Sequence, residues 1–259
     1  DDQKDRLDKL RTYLIVLLKQ IEELEKELEK SQMRTMETVL NAIAQDRRNL
    51  LANIRNKLDD LDIEVEVYYD SGILRFSEKA LKFKSGEYMP DENGKKVIAK
   101  LAQTLESELP CFILGTHTSI SPKCNPNNSI LETIQIEGHT DDIPISKRNI
   151  QDNLQLSTLR AAQTWRTVTN FKPNLKEFLN ASFYKDRNFD IITKAGQPVL
   201  SVSGYGEARP IDFRQTDVGR AANRRIDLRF IMMTPKNMKE ASSIAKKIKT
   251  SIEANFSND

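Results

Sequence analysis

Leu7, Leu14, Ile21 and Leu28 recur every seven residues, and Leu10, Leu17 and Leu24 stand between them. Every a and d site of three heptads is therefore aliphatic, which predicts a helix whose seam is covered by a second copy in a coiled coil. The Glu and Lys residues from Glu22 to Lys30 fall at the flanking positions, where they would solvate such a rod. A single amphipathic helix packed on its own domain is the alternative, since three heptads is the least length at which the pattern persuades. Ser31 breaks the repeat. Apolar spacing resumes through Met36, Leu40, Ile43, Leu50, Ile54 and Leu58, with Arg47 at an intervening seam position, as a second helix or a continuation. The longest apolar run, Tyr13 to Leu18, is far short of the roughly 20 residues of a membrane-spanning helix. A chain opening on Asp1 reads as processed or excised, with residues 1–61 leading from an anchor outside it.

Charge excludes some classes of function. Forty Lys and Arg against 38 Asp and Glu leave +2, too even to attract nucleic acid by bulk charge. Two His and two Cys do not cluster, so no metal site and no cofactor are expected.

From Glu64 the period changes to two. Val65 and Val67 alternate with acids, Asp70-Ser71-Gly72 makes a turn, and Ile73, Leu74 and Phe76 follow, which predicts a hairpin. Pro90-Asp91-Glu92 starts a helix with Val97, Ile98, Leu101 and Leu105 as its buried stripe and Pro110 as its stop. A polar loop spans residues 115–129. Leu131 to Glu137 reads as a strand, Leu154 to Val168 as a helix, and Val199 to Val202 and Arg225 to Met232 as strands. The order β, α, β, α, β, β predicts an α+β sandwich over 62–235 with helices on one face of the sheet. Residues 170–198 show no clear period and read as an insertion, while 236–259 reads as a basic C-terminal helix and tail.

Three segments place unusual residue types where strands meet helices. Gly138-His139-Thr140-Asp141-Asp142 follows a strand, Asn153 to Ala161 opens a helix, and Gly204-Tyr205-Gly206-Glu207 with Gly219 to Arg225 precedes the last strand. A carboxylate at a strand's end and a guanidinium on the next helix's first turns can face each other across a groove. Such a pair, Asp141 and Arg160, matches the ammonium and carboxylate of an amino-acid centre. A structural salt bridge between the same two residues is the plainer reading. His139 reads as a packed residue fixing the turn, Gly204 and Gly206 as tight-turn positions, and Asp142 as solvated or capping. Arg224 and Arg225 should point to opposite faces if a strand has begun, so one at most reaches the groove.

The ordered motifs GHTD, N..LS..RA, GYGE..P and GR..NRR resemble the peptidoglycan-binding domain of the outer-membrane protein A family. The second Asp and the Pro of Gly138-His139-Thr140-Asp141-Asp142-Ile143-Pro144, with the longer stretch before Asn153, are similar to its MotB-like stator branch, which includes the MotB-like subunit of the Zorya anti-phage system. The resemblance covers roughly residues 73–232. It implies a non-catalytic periplasmic module of an inner-membrane stator, homodimeric, partnered by a MotA-like channel subunit and holding a diaminopimelate-containing wall peptide. The family's ligand contacts fall on Asp141 and Arg160, with Thr140, Asn153, Leu156 and Arg225 as surrounding contacts or supports. One departure stands out: the family's Phe-Asp near the first strand is here Phe83-Lys84-Ser85, which keeps open an interaction domain that no longer binds the wall. Hydrolysis of wall peptides would need zinc, an activated nucleophile or paired carboxylates, and His117 and His139 lie in separate loops without such spacing. An oxidising periplasm would permit a Cys111–Cys124 disulfide across the polar loop; two free thiols, with Cys111 buried, are the alternative.

Overall fold

The computed structural model describes residues 2–84, 86–145, 149–188 and 190–256 and divides into two units, residues 1–41 and 42–259. The side chain of Leu7 and all of Ser85 lie outside the described residues. Helix α1, Asp2–Asp59, runs unbroken for 58 residues, so the apolar spacing beyond Ser31 continues one helix. In the first unit the seam residues Leu10, Leu14, Leu17, Ile21, Leu24 and Leu28 are all exposed on the single chain.

In the second unit, Leu50, Leu51, Ile54 and Leu58 of α1 are completely buried in the main core. Arg47 occupies its seam position because its guanidinium donates to the Asp70 carbonyl at 2.7 Å, in the turn between β1, Glu66–Tyr68, and β2, Ile73–Phe76. Helix α2, Glu92–Glu108, is capped by Asp91, which accepts from the Gly94 amide at 2.7 Å. It ends in a short 3-10 turn, Leu109–Phe112, entered through Pro110. Strand β3, Leu131–Gly138, is followed by α3, Asn153–Phe171. After β4, Leu179–Lys185, and β5, Ile191–Pro198, come β6, Leu200–Gly204, α4, Asp217–Asn223, β7, Ile226–Met232, and α5, Met238–Phe256.

The main sheet has the order β1-β2-β7-β3-β6, with β3 and β6 parallel and the other neighbours antiparallel. The α+β architecture and long leading helix expected from the sequence are the ones observed. Leu74, Phe76, Ile134, Ile136, Leu228 and Phe230 of this sheet join Ile98, Leu101 and Leu105 of α2 in one core. Burial of large aliphatic and aromatic side chains, each contributing roughly 1.5–3 kcal/mol, holds the layers together.

Residues 170–198 turn out to contain a second sheet, the β4–β5 hairpin, rather than an unpatterned excursion. Ala181 shares a second apolar cluster with Ile244 and Ile248 of α5 and with Leu114, Ile120 and Ile130. The hairpin and α5 thus complete each other: neither has an apolar face that could be covered alone. Cys111 and Cys124 are joined by a disulfide with Cα atoms 6.0 Å apart, and Asn125, between them, ties the loop by donating to the carbonyls of Cys111 and Ser129.

Candidate functional site

The groove forms where β3 and β6 end against the first turns of α3. Two glycines make the approach possible: a Cβ on Gly138 would collide with the Ser157 backbone, and one on Gly204 with the Thr158 backbone and hydroxyl. The loops are then locked by backbone bonds, Tyr205 N–H to Gly138 carbonyl at 3.0 Å and Thr140 N–H to Gly206 carbonyl at 2.9 Å. Asp152 caps α3 by accepting from the Gln155 amide at 2.7 Å. Asn153 donates to the carbonyls of Asp141 and Ile143, at 3.3 and 3.0 Å, and so shapes the GHTD turn.

The resulting cavity of about 500 Å³ is lined by Thr140, Asp141, Asn153, Leu156 and Arg160, together with Glu78, Lys82, Phe83, Lys84 and Arg224. Five of the six ligand-binding candidates named from the sequence therefore meet in one place. Arg225 does not line this cavity. It is buried, donating to Asp227 at 3.0 Å and to the Arg209 carbonyl at 3.1 Å, and Arg224 takes the groove position instead.

Asp141 and Arg160 both line the cavity, but they are not joined by the direct salt bridge that was the alternative reading. Asp141 pairs with Arg224 at 2.5 Å, and Arg224 binds Glu78 through its other nitrogens at 2.8 and 2.7 Å. These contacts, with that of Glu78 foremost, raise the Arg224 pKa above its ordinary value. Arg160 is only 5% exposed, yet it has no carboxylate partner among the described residues. Its Nε donates to the Glu87 carbonyl at 3.0 Å, and its guanidinium lies 5.1 Å from the centre of the Phe83 ring. Burial lowers its pKa to about 10, against the opposing pull of Glu78 and Asp141, so the group remains a cation at neutral pH. The Thr140 hydroxyl is buried in the same wall and has no hydrogen-bond partner among the described residues. A buried guanidinium with no carboxylate in salt-bridge contact and a buried hydroxyl with no hydrogen bond among the described residues are both groups that a polar ligand would satisfy.

Glu78, Lys82, Phe83 and Arg224 were not singled out as ligand contacts from the sequence. Glu78 could have been suspected from its place just past the strand Ile73–Phe76, where the chain leaves the sheet at the same edge as Arg224.

Beneath the groove lies a network of buried charges. Arg75 grips Asp227 through two bonds of 2.9 Å, Arg225 binds the same carboxylate, and Arg229 holds Glu137 at 2.7 and 3.0 Å. Burial opposes ionisation of Glu137, but His139 at 3.9 Å and the Arg229 fork outweigh it and hold the carboxyl at about 2. His139 stacks on Tyr205 with ring centres 5.3 Å apart, lies 3.9 and 3.7 Å from the Glu137 and Asp227 carboxylates without a close hydrogen bond among the described residues, and burial lowers its pKa. Glu137, His139 and Asp227 lie close enough to share an ion. Their carboxylates are already committed to three guanidiniums, however, and that cationic surrounding suits an ion-pair network rather than a divalent metal.

Residues 118–224 match the model of the OmpA family. That stretch of the chain is similar to the OmpA family. Motility protein B of Bacillus subtilis (strain 168) is 28% identical over 151 residues, covering 58% of this chain and 44% of that protein. The chain thus spans less than half the length of this curated relative. A solved structure of a putative MotB-like protein from Desulfovibrio vulgaris aligns with a TM-score of 0.50 at 19% identity, over 74% of this chain and 97% of that one. This likeness shows that the chain has a MotB-like fold. The periplasmic domain of Helicobacter pylori MotB aligns at 0.42 and 17% identity, over 68% of this chain and 82% of that one. The match to the OmpA family ends at Arg224, the residue that closes the groove.

Proposed function

We propose that this chain is a non-catalytic peptidoglycan anchor, the wall-facing part of a dimeric, MotB-like stator in the periplasm. The observation that carries the reading is Arg160: a buried cation with no acidic partner among the described residues, in the same cavity as Asp141 and the unpartnered Thr140 hydroxyl. The zwitterionic end of a diaminopimelate residue offers a carboxylate to Arg160 and an ammonium to Asp141 and Glu78. Arg224, already bound to both acids, fixes their position. Leu156 and Phe83 supply apolar wall, and Asn153 holds the turn that presents Asp141. Binding followed by no chemistry is all these groups need to do.

The exposed seam of α1 supports the homodimer, and the disulfide suits an oxidising compartment. The likeness to Motility protein B supports a stator role alongside a MotA-like channel subunit. Flagellar rotation and Zorya-like anti-phage defence are the two uses such an anchor would serve, and deletion of the gene, read by swimming and by phage plating, separates them.

Retention on insoluble peptidoglycan tests the anchor. Asp141→Asn and Arg160→Met should each abolish retention, at a cost of about 2–5 kcal/mol in binding. Because Arg160 leaves no paired acid behind among the described residues, Arg160→Met should keep or raise the thermal midpoint. Wild type that ignores the wall, with Arg160→Met unfolding, would mean that Arg160 serves only the fold.

A further inference from the structure

The charges of the groove do not balance. Glu78 and Asp141 are both taken by Arg224, which leaves Arg160, Lys82 and Lys84 as lining cations without an acidic partner among the described residues. One carboxylate of a zwitterionic centre answers Arg160. Lys82 and Lys84 remain, exposed on either side of the buried Phe83, whose ring carries Arg160. The Phe83 to Pro90 bridge fixes this segment against the start of α2, so both lysines are presented from an anchored stretch of chain.

We propose that Lys82 and Lys84 hold a second carboxylate of the wall peptide, so that the groove selects stem peptides with a free acid beside the zwitterionic centre over their amidated forms. The inference rests on the wall-peptide reading above. A stem peptide carries such an acid in two places, the α-carboxylate of its D-glutamyl residue and the carboxylate at its C-terminus. Amidation of either removes the charge and keeps the shape. Two exposed ammonium groups acting together on one carboxylate in a wet groove are expected to favour the free acid about tenfold. They also explain how a lysine can stand where an acid would otherwise hold the ammonium: Glu78 lies in the groove to share that duty with Asp141, and position 84 is released to recognise an anion.

The test is titration of the chain with three synthetic peptides, the L-alanyl-γ-D-glutamyl-diaminopimelate tripeptide, its glutamyl α-amide and its C-terminal amide. The free acid should bind about tenfold more tightly than one of the amides, and the amide that loses affinity identifies which carboxylate is held. In the double variant Lys82→Gln, Lys84→Gln that ratio should fall to near one. Equal binding of all three peptides to wild type, or a ratio that survives in the double variant, overturns the inference while leaving the anchor intact. If none of the three binds, the wall-peptide reading itself fails and the selectivity falls with it.

Discussion

Neighbouring arginines in this chain do opposite jobs. Arg224 closes α4 with backbone angles of −77° and 89°, and the strand begins only at Ile226, so alternation along β7 cannot be extended back to decide which arginine enters the groove. Period-two reasoning limited the choice to one of the pair, and the cap geometry made it Arg224. Arg225 instead belongs to the buried network, in which each carboxylate is held by a guanidinium fork. Glu137 offers a direct measure of that network. Its folded pKa of about 2 lies below the ordinary 4.5, so its stabilisation is complete above about pH 4.5 and is lost as pH falls toward 2. Glu137→Gln should therefore cost about 3 kcal/mol in urea unfolding at pH 7, and the gap from wild type should close in strong acid. An equal loss at pH 7 and pH 2.5 would show that packing, not charge, is the contribution.

Among the elements, α1 carries two different faces in sequence. From Leu50 to Leu58 its apolar residues are absorbed by the core of the second unit, whereas those from Leu10 to Leu28 have no cover on the single chain. An exposed seam of this length is costly in water, and a second copy is the cover that matches its heptad spacing. Leu14→Asp with Ile21→Asp should convert a dimer into a monomer in light scattering at micromolar concentration; a monomeric wild type would sink the idea. The β4–β5 hairpin illustrates the opposite case. Its pairing shifts register between Leu179 and Ala181, so no period is legible until α5 packs across it. Helix α4, only seven residues long, escaped for a similar reason: Asn223 fixes it by accepting from the amides of Ile211 and Asp212, a tertiary contact that no local pattern announces.

For the whole molecule, the proposed dimer and the proposed groove make a joint expectation. Two grooves in one dimer bind an insoluble mesh with an effective concentration that raises avidity by about 10²–10⁴ over a single site. The monomeric seam variant should therefore wash off peptidoglycan at salt where wild type stays, while its affinity for a soluble tripeptide is unchanged; equal retention of both would show that one groove suffices. The sequence by itself determined the leading helix, the β-hairpin, the alternation of helices and strands, and the gathering of Thr140, Asp141, Asn153, Leu156 and Arg160, because these rest on periodicity, caps and ordered motifs within short stretches of chain. Only the tertiary structure decided how charge is distributed among them. Residues 78, 141 and 224 are far apart in the chain, and ion pairing depends on distance and on removal of water, both of which are set by how β2, β3 and β7 are ordered in the sheet. That ordering gives Asp141 to Arg224 and leaves Arg160 buried without an acidic partner among the described residues.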